Sequence, residues 1–176
     1  MKKSSILKKF LLLGIVTAGL ILVFSYVVYA KQNSVDNIKH QFVSDIKKTT
    51  HDLKALEKAG NKLENASINA KITPEQAVEI VSQDRPDYAS QAIDIVVEYY
   101  QLTNTAFNAF SDDTKNNNKY LSKDGFLEKA PCYIVSFKGI TRAGKAPEGM
   151  QAPIFHEYNV VIDADSGDIL FSLAYR

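Results

Sequence analysis

One histidine-glutamate pair in the sequence has the residue types of a zinc peptidase. His156-Glu157 matches the first half of an HExxH motif, in which two histidines four residues apart bind zinc beside a general base. Position 160, where the second histidine would stand, is Val160. The residues around His156 also follow a strand pattern rather than a helical one. We therefore predict a strand histidine and no zinc site.

Three aspartates close to the C-terminus could bind calcium. Asp163, Asp165 and Asp168 have the spacing of carboxylate ligands in a short loop. An EF-hand loop that began at Asp163 would need glycine at its sixth position, but Gly167 is the fifth. Its twelfth position is Ala174, where a bidentate glutamate is required. A tight turn explains these residues better, and a loose surface calcium site is the alternative.

The single cysteine could be a nucleophile with His156 as its base. Cys132 opens an apolar strand pattern beside Tyr133 and Ile134, a setting in which free cysteines are usually unreactive core residues. One cysteine also excludes a disulfide within the chain. We therefore predict that Cys132 is buried and not catalytic.

Charge and motif content argue against several other classes of protein. The net charge is +1, and the basic residues after the N-terminus are scattered, so no nucleic-acid footprint is visible. The sequence has no glycine-rich phosphate loop, no GxSxG nucleophile elbow and no zinc-binding cysteine cluster. The sequence predicts a protein that is not an enzyme and that has no cofactor and no metal ligands.

An uncharged apolar segment runs from Phe10 to Ala30. Its 21 residues would form a helix of roughly 31 Å, which matches the hydrocarbon thickness of a membrane. A helix is the form in which such a segment satisfies its own backbone hydrogen bonds in lipid. Tyr26 and Tyr29 lie at its end, where aromatic side chains favour the interface. We therefore predict a single transmembrane helix over residues 10–30.

The charges before this segment predict its orientation. Residues 1–9 carry four positive charges and no negative charge; they are Lys2, Lys3, Lys8 and Lys9. By the positive-inside rule this basic tail stays in the cytoplasm, and the C-terminal part lies outside. The alternative is a cleaved signal peptide, with Val28 and Ala30 preceding the cut. The apolar run is longer than a signal peptide usually has, which favours a retained anchor in the cell membrane.

Residues 31–71 are predicted to form an extracytoplasmic helix and a linker. Apolar residues recur at helical spacings over 34–59 and are followed by a glycine stop signal; they are Val35, Ile38, Phe42, Ile46, Leu53 and Leu56, with Gly60 after them. This pattern indicates an amphipathic helix that forms a stalk, packs on the domain or binds a partner. His40 and His51 are predicted to be surface residues on it. Residues 61–71 are polar and typical of a linker.

Residues 72–176 contain one capped helix and four strand patterns. Thr73, Pro74 and Gln76 predict a helix start with a capping box, and Pro86 predicts that the helix ends near Asp84. β-branched and aromatic residues predict strands over 91–101, 132–138, 155–163 and 169–175. A hairpin turn with Gly167 at a positive φ joins the last two. Residues 111–129 and 139–153 are predicted to be a mobile loop and an irregular loop.

This order of elements resembles the PepSY domain, a module found in propeptides of thermolysin-type metallopeptidases and in many bacterial membrane proteins. The resemblance is carried by Ile72–Ala77 at the helix start, by Tyr133–Val135, and by Tyr158–Leu170, which contains the most specific block. It implies an α+β fold with an antiparallel four-stranded sheet and one helix packed on a face. The motif positions, which the resemblance implies are structural, are Ala77, Tyr133, Val135, Tyr158, Val160, Asp163 and Gly167.

The resemblance also implies a role without catalysis. We expect a single-pass, membrane-anchored extracytoplasmic binding or regulatory module that restrains or modulates a peptidase or another cell-envelope protein. Strand pairing at a sheet edge is one expected contact mode. The alternative is a structural or assembly protein that oligomerises through the predicted helix over 35–58.

Overall fold

The computed structural model describes residues 40–122 and 124–173. The predicted cytoplasmic tail and the predicted span Phe10–Ala30 lie outside these residues. Within the described ranges, no helix is both long enough and apolar enough to cross a membrane.

The described chain forms one six-stranded mixed sheet with a few short helices. The strands are β1 (His40–Val43), β2 (Asn61–Asn65), β3 (Asp94–Asn104), β4 (Ala130–Ala143), β5 (Ile154–Asp163) and β6 (Ile169–Leu173). The helices are α1 (Leu53–Lys58), α2 (Pro74–Asp84), α3 (Pro86–Gln91) and α4 (Asp112–Asn117), and a 3-10 turn covers Ile46–Lys48. β3, β4, β5 and β6 lie side by side in chain order, and each is antiparallel to the next. On its other side β3 pairs with β1 in parallel and with β2 antiparallel.

The predicted fold class is therefore wrong. An antiparallel four-stranded sheet with one helix was expected, whereas the sheet has six strands, is mixed, and makes the described chain mostly β. The difference comes from residues 40–65, which supply β1 and β2 to the edge of β3. These residues were expected to form a helix and a linker outside the sheet.

The predicted amphipathic helix over 34–59 is also wrong for the residues that the structure describes. β1, the 3-10 turn and the six-residue α1 replace it, and Asp45 and Asp52 cap the turn and the helix through their side chains. The apolar residues do not share one face: Phe42 is 51% exposed, whereas Leu56 is fully buried. Tertiary pairing with β3 overrides the local helical spacing here.

Two predicted loops contain regular structure. The region 111–129 includes α4, and Leu121 and Leu127 form an isolated bridge after it. The region 139–153 was expected to be irregular, but β4 continues to Ala143, which pairs with Ile154 of β5 after a shift in register. The β-branched residues Ile140 and Thr141 suit this extension.

The local signals around α2 and the last turn are confirmed. Thr73 and Gln76 form a complete capping box, and α2 ends at Asp84, before Pro86. Gly167 has a φ of 81° in the turn between β5 and β6. α2 and α3 pack on one face of the sheet, which we call the helix face. The opposite face, the core face, contains a buried cluster with Leu56, Leu63, Tyr100, Leu102, Ile134 and Val161.

Candidate functional site

The outer edge of β6 is the strongest candidate for a binding site. β6 pairs with β5 on one side, and no described residue pairs with it on the other. Asp163 donates its backbone N–H to the carbonyl oxygen of Asp168, in the direction of β6. The backbone N–H and C=O groups of successive residues point to opposite sides of a strand. Those of Val161 and Asn159 therefore also point toward β6, where these residues pair with Phe171 and Leu173. The backbone N–H and C=O of Ser172 therefore point away from β5.

A cavity of about 550 Å³ borders this edge. All five residues of β6 line it. Because successive side chains of a strand point to opposite faces, a cavity lined by five consecutive residues borders the strand's edge and not one face alone. The other lining residues come from three further segments of the chain: Ala59, Asn61, Arg85, Asn104, Ala106 and Phe107.

Aromatic side chains form one wall of the cavity. Phe107, Phe110 and Phe171, which we call the phenylalanine cluster, have ring centroids 5.0 to 6.3 Å apart. Asn104 holds Phe107 in place, because its buried side-chain oxygen accepts a hydrogen bond from the Phe107 backbone N–H at 2.7 Å. The Asn104 amide in turn donates to Asn61 on β2 at 2.5 Å. Two successive hydrogen bonds thus connect Phe107 through Asn104 to β2, on the opposite side of the sheet from β6.

Arg85 supplies the one charge among the described residues that line the cavity. It lies between α2 and α3, and its Nη1 is 3.1 Å from the carboxylate of the adjacent Asp84. Its Nε is shielded from solvent, and no described group accepts a hydrogen bond from it. The rest of the Arg85 side chain is accessible, 39% of its area being exposed, and a guanidinium beside an open cavity is suited to bind a carboxylate.

Four of the predicted motif residues lie on the helix face, where α2 and α3 pack on the sheet; they are Ala77, Tyr133, Val135 and Val160. Ala77 is fully buried, and the neighbouring Tyr133 donates its hydroxyl to the carbonyl oxygen of Ile72 at 3.0 Å. Val135 and Val160 are direct partners on β4 and β5, and both are fully buried. These four motif positions therefore pack the interior and do not form an open site.

Tyr158 connects the helix face to β6. Its hydroxyl lies 2.6 Å from the Ser172 hydroxyl, and its ring is 4.4 Å from the ring of Tyr88 on α3. The guanidinium of Arg142 lies 5.0 Å from the Tyr158 ring centroid. Tyr158 is thus the motif residue in contact with the candidate edge.

Asp163 and Gly167 shape the turn before β6. One carboxylate oxygen of Asp163 accepts the backbone N–H groups of Asp165 and Ser166, and the other accepts the Asn118 side chain. Asp165 instead forms ion pairs with two lysines, Lys71 and Lys119, at 3.3 and 3.1 Å. No cluster of His, Cys, Asp or Glu that could hold a metal is found in the described ranges. The aspartates serve the turn, and the calcium alternative gains no support.

Cys132 and His156 do not form a reactive pair. Cys132 is fully buried, and burial raises the pKa of its thiol well above the ordinary value. Its direct partner on β5 is Asp163, seven residues from His156, which places His156 roughly 23 Å away along the strand. A base at that distance cannot activate the thiol.

Sequence reasoning missed a buried polar cluster on the core face. Glu98 is fully buried on β3 and accepts hydrogen bonds from the hydroxyl groups of Thr49 and Thr50 at 2.5 and 2.6 Å. His51, predicted to be at the surface, is 5% exposed, and its Nε2 lies 4.0 Å from the Glu98 carboxylate. The partners are 47 to 49 positions apart in sequence, so no local spacing could have indicated the cluster.

The electrostatics of this cluster follow from burial and hydrogen bonding. Burial lowers the pKa of His51 below 6.5, although Glu98 and Glu157 oppose this effect. Burial alone would raise the pKa of Glu98, but the hydrogen bonds from Thr49 and Thr50 outweigh it and hold the pKa below the ordinary value. The cluster therefore favours a neutral imidazole beside a charged carboxylate, an arrangement that fastens residues 49–51 to the sheet.

Comparisons with known proteins identify no relative: no family model matches the chain, and neither the curated proteins nor the solved structures contain a significant match.

Proposed function

We propose that this chain is a binding module of the cell envelope that takes up an extended segment of a partner protein as a further strand along β6. The observation that carries the proposal is the outward-facing backbone of Ser172 beside the cavity that borders β6. Exposed strand edges present rows of backbone donors and acceptors, and strand addition is an established way to recognise extended peptides.

The predicted anchor and the family resemblance suggest where the module acts and on what. The uncharged segment Phe10–Ala30, with lysines before it, supports a single-pass anchor and a domain on the outer side of the cell membrane. The PepSY-like block over Tyr158–Leu170 supports a peptidase or another cell-envelope protein as the partner. In this proposal the module restrains or positions its partner without chemistry of its own.

The alternative of a structural or assembly protein rested on oligomerisation through a helix over 35–58. The described part of that region forms β1, a 3-10 turn and the six-residue α1. The assembly alternative therefore loses the element on which it depended, and binding at β6 is the better-supported function.

Cross-linking in the full-length chain tests this proposal. A photoreactive amino acid replaces Ala106, which is exposed and lines the cavity. Ser172→Pro removes the outward N–H and leaves the pairing of Phe171 and Leu173 with β5 intact. Ser172→Ala removes only the hydroxyl contact with Tyr158 and is the matched control.

We expect a defined cross-linked adduct in cells that express the parent chain and the Ser172→Ala variant. In Ser172→Pro the yield should fall about tenfold, as the loss of a backbone hydrogen bond with an unsatisfied partner group predicts. Thermal unfolding of the two variants checks that both are folded. An unchanged adduct in a folded Ser172→Pro variant would show that the partner does not pair with β6.

A further inference from the structure

We infer that the segment that pairs with β6 carries a large apolar side chain and an acidic side chain. The apolar side chain contacts the phenylalanine cluster, and the acidic side chain binds Arg85. This inference rests on the proposed function, and it specifies the chemistry of the partner at that same edge.

The phenylalanine cluster is the reason to expect a large apolar side chain in the partner segment. Phe107 and Phe171 are only half-buried, and both line the cavity, whereas Phe110 contacts both rings without lining the cavity and is 8% exposed. Because Phe107 and Phe171 are partly exposed on the cavity side, part of both rings can contact a further apolar group. Apolar area removed from water stabilises a complex in proportion to its size, so a large aliphatic or aromatic side chain fits this wall best.

Arg85 is the reason to expect an acidic side chain in the partner segment. Its contact with Asp84 joins two side chains that are 39% and 40% exposed, and exposed pairs of this kind contribute little. The Arg85 side chain remains 39% exposed, so a partner carboxylate can accept from its Nη nitrogens at the cavity.

Charge also disfavours a basic partner segment at this position. Arg85 lines the cavity whereas Asp84, which pairs with it, does not, so a lysine brought to this edge would meet a positive charge first. The partner is thus an acidic, apolar extended polypeptide rather than a basic one.

Peptide binding to the full-length chain in lipid nanodiscs tests the inference. The probes are fluorescent heptapeptides of the sequence Thr-Val-Thr-Phe-Thr-Val-Thr, in which each threonine in turn is replaced by glutamate or by lysine. Fluorescence anisotropy gives a Kd for each peptide. Arg85→Glu reverses the charge at the cavity, Arg85→Gln removes it, and Lys54→Glu is a matched reversal at an exposed lysine that does not line the cavity.

At one or two positions, the glutamate peptide should bind at least about fivefold more tightly than its lysine counterpart. Arg85→Glu should reverse this preference, Arg85→Gln should abolish it, and Lys54→Glu should leave it unchanged. Ser172→Pro should weaken both peptides by the same factor, and Ser172→Ala should weaken neither.

Three results would overturn the inference in distinguishable ways. If glutamate and lysine peptides bind equally at every position but Ser172→Pro weakens both, strand addition stands and the acidic specificity is wrong. If no peptide binds, or if Ser172→Pro changes nothing, both the specificity and the proposed function are wrong. A preference for glutamate that survives Arg85→Gln would also overturn the role of Arg85.

Discussion

The backbone N–H of Thr50 donates a hydrogen bond to the carboxylate of Glu98 at 2.8 Å, across 48 positions of sequence. The hydroxyl groups of Thr49 and Thr50 donate to the same carboxylate, so three donors from one short segment converge on one buried acid. The backbone of Glu98 also pairs with Val43 of β1. This single residue therefore fastens the N-terminal part of the described chain to the sheet.

Replacing Glu98 should destabilise the fold more than any exposed glutamate does. Glu98→Ala leaves three donors without an acceptor, and we expect a loss of about 3 kcal/mol in the free energy of unfolding. Glu98→Gln keeps the shape and one acceptor oxygen, so we expect a loss of about 1.5 kcal/mol. Denaturant titration followed by circular dichroism measures both. The exposed Glu57→Gln is the control, and equal effects at the two positions would contradict this role of Glu98.

Stability should fall in acid through two groups of the same cluster. The pKa of His51 is below 6.5 in the folded chain, so the unfolded chain binds more protons and stability is lost as pH falls below about 6.5. The pKa of Glu98 is also lowered, so a second loss follows as pH falls below about 4.5. Glu157 and Lys138 also act on His51, with opposite signs.

The loss of stability that comes from protonation of His51 can be separated from that of Glu98 by mutation. His51→Gln should flatten the decline of the unfolding free energy that begins below pH 6.5 and leave the decline below about 4.5 in place. His40→Gln, at an exposed position, should not change either part. A wild-type chain whose stability is constant between pH 7 and 5 would show that His51 gains a proton as readily in the folded state as in the unfolded state.

The elements that the sequence predicted correctly are those set by neighbouring residues. The capping box of Thr73 and Gln76 and the turn at Gly167 depend on side chains within four positions of one another. β1 was misread because its four residues owe their conformation to pairing with β3, more than 50 positions later. A helical spacing of apolar residues cannot show such a distant partner.

The turn at Gly167 provides a test of backbone strain with an internal control. Its φ is 81°, and an added Cβ would lie 3.1 Å from the Cδ1 of Ile80 on α2. Gly149 has a φ of 80° with no atom within 4 Å of the added Cβ. We expect Gly149→Ala to cost about 1 kcal/mol from φ alone and Gly167→Ala to cost about 2 kcal/mol, because Ile80 must also move.

Thermal denaturation of the two glycine variants gives the difference. Adding Ile80→Val to Gly167→Ala removes the crowded methyl group, so the double variant should recover part of the loss relative to Ile80→Val alone. If the two glycine variants lose the same stability, the contact between the turn and α2 contributes nothing and only the φ matters.

The candidate binding edge could be predicted only in part. Binding of a partner at a sheet edge was predicted because an open sheet has two unpaired edges. The strand pattern over 169–175 also predicted the position of β6 (Ile169–Leu173) to within two residues. The cavity could not be predicted, because Phe107, Arg85 and Phe171 come from three separate segments. In the sequence, nothing distinguishes Arg85 except its place before Pro86, the residue that predicts the end of α2.

Cys132 should report global unfolding, because its thiol is fully buried and its pKa is raised by burial. A thiol reacts as the thiolate and only where a reagent can reach it, so a slow alkylating reagent at pH 8 should modify Cys132 at a rate set by the fraction of molecules in which the whole domain is open. A cysteine introduced by Asn69→Cys at an exposed position should react at least about a hundredfold faster in the same chain. Mass spectrometry over time resolves the two sites. The Glu98→Ala variant should label faster at Cys132 by the factor by which its open fraction rises, about tenfold for each 1.4 kcal/mol of lost stability. Rapid labelling of Cys132 in the native wild-type chain would contradict its burial in the core.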